Sequence, residues 1–207
     1  MINDPEEKVV RPSRTQRREQ ILDAAVECVL RNGFHGSSMS DIATAADTSV
    51  GIIYRHFPHK EALIEAIVAR NLTELRSDIA LSKAQTREAA LLSVQKDIEK
   101  FVLRQYDRRR SALTLEVYAE AGRNPKVELI VRRYAKAEQE LVKTLITELM
   151  PSNTEDAQID ARVDLLRIIA DGLLVHGLYR VPKGSLKPMV REVSRTFVSI
   201  LGLEEVY

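Results

Sequence analysis

The sequence lacks residues on which several protein classes depend. Its 207 residues include one cysteine and no tryptophan, so the chain cannot form a disulfide with itself. Because Cys28 falls on an apolar helical face beside Ala24 and Ala25, we expect a buried small hydrophobe rather than a redox sensor. Only 7 prolines and 8 glycines interrupt apolar repeats at helical spacing, which predicts an all-α fold.

Long apolar runs are also missing. No segment reaches the length of a membrane span, and residues 1–10 have no apolar core that would act as a signal peptide. We therefore expect a cytoplasmic protein with no membrane partner.

The chain also has no large excess of either charge, because its 31 Lys and Arg residues and 30 Asp and Glu residues give a net charge of +1. The whole chain is thus not basic in the way of many nucleic-acid-binding domains. Positive residues do cluster before the first predicted helix: Lys8, Arg11, Arg14, Arg17 and Arg18. This cluster is either a solvated tail or an arm that follows DNA phosphates or enters a minor groove, and Arg17 and Arg18 are best placed for phosphate contact.

Residue patterns for catalysis or metal binding are scarce. None of the four histidines has a partner at metal-ligand spacing, no serine lies in a strained glycine turn, and no glycine-rich loop is suited to phosphate. Glu116 and Glu120 are four residues apart with Arg123 close behind, which is more typical of a polar stripe or ion pair than of acid–base catalysis. We expect no catalytic residue, no metal and no cofactor.

Residues 38–57 have the pattern of a helix-turn-helix. A short helix capped by Ser38 or Ser40 carries a small apolar face, and a polar break follows at residues 46–49. The second short helix is apolar on one side and polar on the other, and Pro58 ends it. A short helix that is polar on one face and held by its neighbours is suited to a DNA major groove.

Four segments of this part resemble the N-terminal domain of TetR-type transcriptional regulators: 20–25, 32–34, 39–43 and 51–63. The last segment contains Tyr-x-His-Phe-x-x-Lys-Glu-x-Leu, which is more specific than a general helix-turn-helix pattern. The family commonly has Gly-Val at the turn, where this chain has Asp47-Thr48. Aspartate tolerates left-handed backbone better than most residues, so we expect the turn to form.

DNA contacts are assigned to residues by their chemistry and by their place in the motif. Hydroxyl groups and positive charges suit phosphate contact, whereas the start and face of the second helix suit base edges. The predicted phosphate contacts are Arg17, Ser38, Ser49, Tyr54, His56 and Lys60. The predicted base contacts are Ser40, Val50, Gly51, Ile52 and Arg55, with Arg55 able to bind guanine through two hydrogen bonds.

The domain organisation follows from this motif. We predict a flexible arm at residues 1–14, a DNA-binding domain at 15–75 and a helical domain for ligand binding and dimerisation at 80–207. A helix near 110–121 is apolar nearly all round and is expected to be buried.

The resemblance implies a small-molecule pocket in the C-terminal helices. Candidate lining residues are Phe101, Tyr106, Glu116, Tyr118, Glu120, Tyr134, His176 and Tyr179, although tyrosine and phenylalanine at helical spacing are more often core residues. If the Glu116–Glu120 pair faces a cavity, it would orient a ligand, particularly a cationic one. The sequence does not identify the ligand.

The last two predicted helices have apolar residues at alternating four- and three-residue spacing. The first of them also has a second apolar face, at Leu165, Ile168, Ile169 and Val175. The apolar residues of both helices either form a single intramolecular core or pack against the same helices of a second chain. Because a single chain would expose the second apolar face, we expect a dimer through a four-helix interface, as the resemblance also implies. The predicted interface residues are Val163, Leu166, Ala170, Leu173, Val190, Val193, Phe197 and Ile200.

These observations favour a homodimeric repressor that leaves a palindromic operator in double-stranded DNA when a small molecule binds. A ligand-independent regulator or an activator is the alternative within the same class. From another class, a helical-bundle enzyme or adaptor would use the helix-turn-helix only as a fold element.

Overall fold

The computed structural model describes residues 12–81, 87–150, 153–179 and 186–202. Every regular element in these residues is a helix, which confirms the predicted all-α fold. In chain order the helices are α1 (Arg14–Gly36), α2 (Met39–Ala45), α3 (Val50–His56), α4 (Glu61–Leu81), α5 (Arg87–Gln105), α6 (Arg108–Ala121), α7 (Pro125–Leu149), α8 (Asp156–Tyr179) and α9 (Lys187–Ile200).

The chain divides into two compact units, residues 1–63 and 64–207, so the division falls within α4. The sequence placed the end of the DNA-binding domain later, at residue 75. Residues 1–11 of the predicted arm at 1–14 lie outside the described residues. The first helix, α1, begins at Arg14, the last residue of that predicted arm.

The first unit packs α1, α2 and α3 around a small core. Ser13 caps α1 through a reciprocal pair of hydrogen bonds with Gln16. The helical backbone breaks at Gly33, whose positive φ of 72° suits a residue without Cβ. Cys28 is buried in this unit as predicted, and burial raises the pKa of its thiol.

The second unit packs α5, α7, α8 and α9 around one apolar core. Val102 of α5, Ile146 of α7, Val163 of α8 and Phe197 of α9 are among its buried residues. The helix α6 packs on α7 and α8. It is less buried than the sequence predicted, because Val117 is its one buried large apolar residue while Leu113, Leu115 and Tyr118 keep contact with solvent.

The turn between α6 and α7 is held by a buried carboxylate. Asn124 caps α7 with Pro125 in the first turn. The side chain of Glu120 is 2% exposed and accepts hydrogen bonds from Arg123 Nε at 3.3 Å and Asn124 Nδ2 at 3.1 Å. Glu120 thus fixes the residue that caps the next helix.

Candidate nucleic-acid interface and ligand cavity

The helix-turn-helix is fixed by a capping box and a tight turn. Ser38 Oγ accepts from Asp41 N at 3.0 Å, and Asp41 Oδ2 accepts from Ser38 N at 2.8 Å. Ser38 Oγ also donates to Asp41 Oδ2 at 2.7 Å, and this hydrogen bond, together with the one from Ser38 N, holds the pKa of Asp41 below its ordinary value. Asp47 has φ of 45°, the left-handed conformation expected for the turn, and Thr48 N donates to Ala43 O at 3.0 Å.

Helix α3 is anchored on one side and open on the other. Ser49 caps it by accepting from Ile52 N at 3.3 Å, while Ile53 and Phe57 are buried beneath it. The predicted DNA contacts from Ser49 to His56 all lie on α3 or its cap. Ser49, Gly51, Tyr54 and Arg55 are exposed, and Val50, Ile52 and His56 are half-buried. Ser38 and Ser40 are exposed on α2 and its cap.

A basic groove lies where the start of α1 meets α3. Its lining residues are Pro12, Arg14, Arg17, Ile52, Arg55 and His56. Burial lowers the pKa of His56, and the positive charges of Arg14, Arg55, Arg18 and Arg17 lower it further. A local excess of positive charge with little opposing carboxylate suits a phosphate backbone. Arg14 belongs to this groove although it was not among the predicted contacts.

Lys60 is placed differently from its prediction as a phosphate contact. Its ammonium donates to Phe34 O and lies 4.3 Å from the centroid of the Phe34 ring. These contacts tie the start of α4 to the end of α1. The ammonium would have to leave this carbonyl to reach a phosphate.

The second unit contains a partly open cavity of about 250 Å³ among α4 to α9. Its wall is mostly apolar and includes Phe101, Val142, Leu166 and Leu174. Of the predicted ligand residues, Phe101, Tyr118 and Tyr134 line it.

The other predicted ligand residues do not line this cavity. Tyr106 is buried in the core with its ring 5.8 Å from that of His176, and Tyr179 is 78% exposed. Glu116 and Glu120 are not among the residues that line the cavity, and the carboxylate of Glu120 is hydrogen-bonded to Asn124 at the α6–α7 turn.

The charged wall of the cavity comes instead from α7 and α8. Glu138 of α7 and Arg167 and Asp171 of α8 line it beside Tyr118. Burial raises the pKa of both carboxyl groups, against the opposing effect of Arg167. It also raises the pKa of Tyr118 to about 12, helped by the charges of Asp171 and Glu138. In the sequence, this charged wall was indicated by Arg167 and Asp171, which are charged residues within the apolar stretch of residues 165–175.

The predicted dimer seam requires a correction. Val163, Leu166, Leu173, Val190 and Phe197 are buried in the core of their own chain, which leaves them little surface for a second chain. The other three predicted interface residues, Ala170, Val193 and Ile200, are half-buried. The exposed apolar residues of α8 are on the other face: Leu165, Ile168, Val175 and Tyr179, with Gly172 exposed among them. Their spacing of three, four, three and four residues forms one stripe, which we name the α8 outer face.

Among the described residues, no group of three His, Cys, Asp or Glu side chains is arranged to hold a metal ion. Within those same residues, no helix is long and apolar enough to cross a membrane.

A helix-turn-helix with a basic groove, together with a helical unit containing a cavity, defines the class of DNA-binding transcriptional regulators. Residues 21–67 match the family described as bacterial regulatory proteins, tetR family, and residues 98–202 match the BetI-type transcriptional repressor, C-terminal. The chain belongs to the TetR family of transcriptional regulators, which removes the enzyme alternative.

Individual relatives agree with this assignment. The HTH-type transcriptional regulator UidR of Escherichia coli K12 is 32% identical over 142 residues, 68% of this chain and 66% of that protein. The match therefore spans just under two thirds of that relative. The structure of Salmonella enterica GusR has a TM-score of 0.72 at 25% identity, covering 96% of this chain and all of that one. FadR from Bacillus subtilis, solved with stearoyl-CoA, has a TM-score of 0.64 at 21% identity, covering 91% and 99%.

Proposed function

We propose that this chain is a homodimeric repressor that leaves a palindromic operator when a small molecule binds in the cavity. The observation that carries the proposal is the composition of the cavity wall. Helix α4, which starts four residues after the last residue of the helix-turn-helix, supplies Ile67, Val68, Asn71, Leu75 and Ile79 to that wall. A ligand in the cavity contacts the helix that continues from the DNA-binding unit.

Polar contacts connect α4 to the same wall. Arg110 of α6 lines the cavity and donates to Glu74 of α4 at 3.0 Å, and Arg133 of α7 pairs with Glu65 of α4. A ligand that shifts α6 or α7 therefore acts on α4 through side-chain contacts as well as by direct contact. To favour release, the ligand must bind the DNA-free state better than the DNA-competent one.

In a dimer, a shift of α4 changes the distance between the two reading helices and so alters DNA binding. Two reading helices related by two-fold symmetry contact half-sites about one helical turn apart, so a small change in their separation weakens binding. The α8 outer face is the surface that we assign to the partner chain. Its exposed leucine, isoleucine and valine leave water when two copies pack together.

DNA contacts in this proposal follow the geometry of α3. Arg17, Ser38, Ser49, Tyr54 and His56, with Arg14 added, bind phosphates. Ser40, Val50, Gly51, Ile52 and Arg55 reach base edges. The ligand-bound structure of Bacillus subtilis FadR shows that a protein of this fold can hold a small molecule, which supports the ligand half of the proposal.

A promoter fusion tests the direction of regulation. The DNA upstream of the chain's own gene is placed before a reporter, with and without the chain expressed from a second plasmid. If the chain is a repressor, reporter activity should be lower when the chain is expressed than when it is absent. Higher activity in its presence would show an activator.

A cavity-filling variant tests control through the cavity. Ala170 lines the wall, so Ala170→Phe places a phenyl group where a ligand would bind, whereas Ala161→Phe changes an exposed position on the same helix. We expect Ala170→Phe to weaken operator binding with unchanged helicity and dimer mass, and Ala161→Phe to leave binding unchanged. Equal operator affinity for the two variants would contradict control from this cavity.

A further inference from the structure

A histidine lies among the arginines of the basic groove, and histidine is the side chain whose charge changes most readily near neutral pH. We infer that DNA binding is coupled to the uptake of a proton by His56 of each chain, so that affinity for DNA rises as the pH falls. The inference rests on the proposed phosphate contact of His56. It adds a control of DNA binding that does not involve the ligand cavity.

The groove holds positive charge that the described part of the chain does not balance. Arg14 and Arg17 of α1 line it together with Arg55 and His56 of α3. Among the described residues, none of these four side chains makes an ion pair within 4 Å. A phosphate that enters the groove therefore meets positive charge without displacing a carboxylate of those residues.

The free chain disfavours the charged form of His56. The side chain is half-buried at the last residue of α3. Burial lowers the pKa of His56, and it is lowered further by the positive charges of Arg14, Arg55, Arg18 and Arg17. Arg18 also pairs with Glu19 at 3.6 Å, so its charge is partly balanced. Since the ordinary pKa of histidine is about 6.5, His56 is mostly neutral at about pH 7 before DNA binds.

Bound DNA reverses this preference. Phosphates along the groove bring negative charge next to the arginines and the imidazole, so the repulsion that kept the proton away is compensated. A protonated imidazole also donates from both ring nitrogens, whereas the neutral ring donates from one. The pKa of His56 should therefore be higher in the complex than in the free chain. Binding then takes up a proton at any pH between these two values.

The nitrogens of His56 are not engaged by the described part of its own chain. Within those residues, the His56 side chain makes no hydrogen bond. His59 differs, because its Nδ1 accepts from Ala62 N at 3.2 Å and lies 3.3 Å from Glu61 Oε2. His59 follows three residues later and is held at the start of α4, which makes it a matched control.

The other groups of the groove keep their charge over the pH range of interest. The three arginines remain protonated between about pH 6 and 8, and Pro12 and Ile52 have no titratable side chain. Among the described residues that line the groove, His56 is thus the one whose charge changes in this range.

The pH dependence of DNA affinity measures the coupling. The full-length chain is titrated into a rhodamine-labelled duplex of arbitrary sequence, about 24 base pairs long and at low salt, because phosphate contacts do not depend on sequence. Fluorescence anisotropy should show that wild-type affinity rises about three- to ten-fold from about pH 8 to 6, as uptake of up to one proton per chain requires. Affinity that stays constant or falls over this range would overturn the inference.

Two substitutions fix the charge of His56 in opposite states. His56→Gln is always neutral and His56→Lys is always charged over this range, so each should lose the pH dependence that His56 causes. His56→Lys should bind more tightly than His56→Gln at every pH. His59→Gln should keep the full pH dependence of the wild-type chain. Circular dichroism verifies that the variants fold, and an unchanged pH dependence in His56→Gln would overturn the assignment to this residue.

Nuclear magnetic resonance measures the pKa of His56 directly. The resonance of its Cε1 proton is identified by its loss in His56→Gln, and it is followed through a pH titration with and without saturating duplex. The pKa should be higher in the complex. An equal or lower pKa in the complex would contradict proton uptake, whereas a merely structural role of His56 would not raise it.

These results also separate the coupling from the function on which it rests. If His56→Gln weakens binding equally at every pH, the phosphate contact stands and the coupling fails. If His56→Gln binds like the wild-type chain at every pH, both fail. If affinity follows pH through His56 while the promoter fusion shows activation, the coupling stands and repression fails.

Discussion

Single side chains of α3 divide into those that position the protein on DNA and those that read its sequence. Arg55 is exposed near the end of α3, where its planar guanidinium can bind one guanine through two hydrogen bonds. Arg17 lies in the basic groove at the start of α1 and faces the backbone of the duplex in the proposed complex. Both carry the same charge, so they form a matched pair for mutation.

We predict different losses from the two arginines. Arg55→Ala should relax base preference at one operator position by about 1–3 kcal/mol. Arg17→Ala should weaken binding to all sequences alike and lower the salt slope by about one unit. Fluorescence anisotropy on an operator and its single-base variants, at several salt concentrations, measures both. A uniform loss from Arg55→Ala with unchanged base preference would show that Arg55 is not a reader.

Glu120 is the clearest case of a side chain with a structural role. Glu120→Ala removes the buried acceptor for Arg123 and Asn124, and we expect a loss of about 1–3 kcal/mol of unfolding free energy. Glu120→Gln keeps one acceptor oxygen and should lose less. Urea unfolding followed by circular dichroism measures this. Unchanged stability of the alanine variant would contradict the role that we assign.

At the scale of helices, close packing of α8 depends on one glycine. A Cβ at Gly177 would lie 2.9 Å from the carbonyl oxygen of Tyr106 and 3.1 Å from Ser111 Oγ. A Cβ at Gly172 would have no described atom within 4 Å apart from the nearby backbone of its own helix. The two glycines have the same helical context and differ in what surrounds them. They form a matched pair for substitution.

We predict opposite effects for the two alanine variants. Gly177→Ala should destabilise the chain by about 1–3 kcal/mol, because a backbone carbonyl must move. Within a single chain, Gly172→Ala should gain up to about 1 kcal/mol from helix propensity, and the contact with a partner chain opposes this gain in the dimer. Thermal melting at several protein concentrations measures both. A loss from Gly172→Ala that grows with dilution would show that a second chain packs there, and unchanged stability of Gly177→Ala would contradict the close packing.

Helix boundaries were predictable where local chemistry sets them. Ser38 was one of two predicted caps of α2 and caps it in the structure, and Asp47 adopts the left-handed turn expected of it. These features depend on hydrogen bonds within a few residues. The burial of α6 was not predictable in the same way, because burial depends on which neighbours the helix meets.

At the scale of the whole molecule, apolar periodicity predicted that α8 is a helix with two apolar faces. It did not predict which of the two faces packs in the chain's own core. Both faces repeat at the same spacing, so the sequence cannot rank them. Similarly, aromatic residues indicated part of the cavity, at Phe101, Tyr118 and Tyr134. The carboxylates Glu138 and Asp171, which line the cavity, were not among the predicted ligand residues, because their place in the wall depends on how α7 and α8 pack together.

The α8 outer face predicts the oligomeric state. Ile168 is 66% exposed in the single chain, and Leu129 of α7 is 69% exposed outside that face. Ile168→Asp places a charge in an interface of about 800 Å² per partner and should give a monomer that loses operator binding. Leu129→Asp should remain a dimer. Light scattering at micromolar concentration measures the mass, and a wild-type monomer or a dimeric Ile168→Asp would contradict this interface.

Selection of bound sequences from a random double-stranded DNA library tests the central claim most directly, because it requires no knowledge of the operator. Wild-type chain should enrich a palindrome whose half-sites are centred about one helical turn apart, or a multiple of it. The Ile168→Asp variant should enrich no palindrome. If the wild-type chain enriches no sequence, or only a single asymmetric site, the account of a dimeric repressor reading DNA through α3 is wrong.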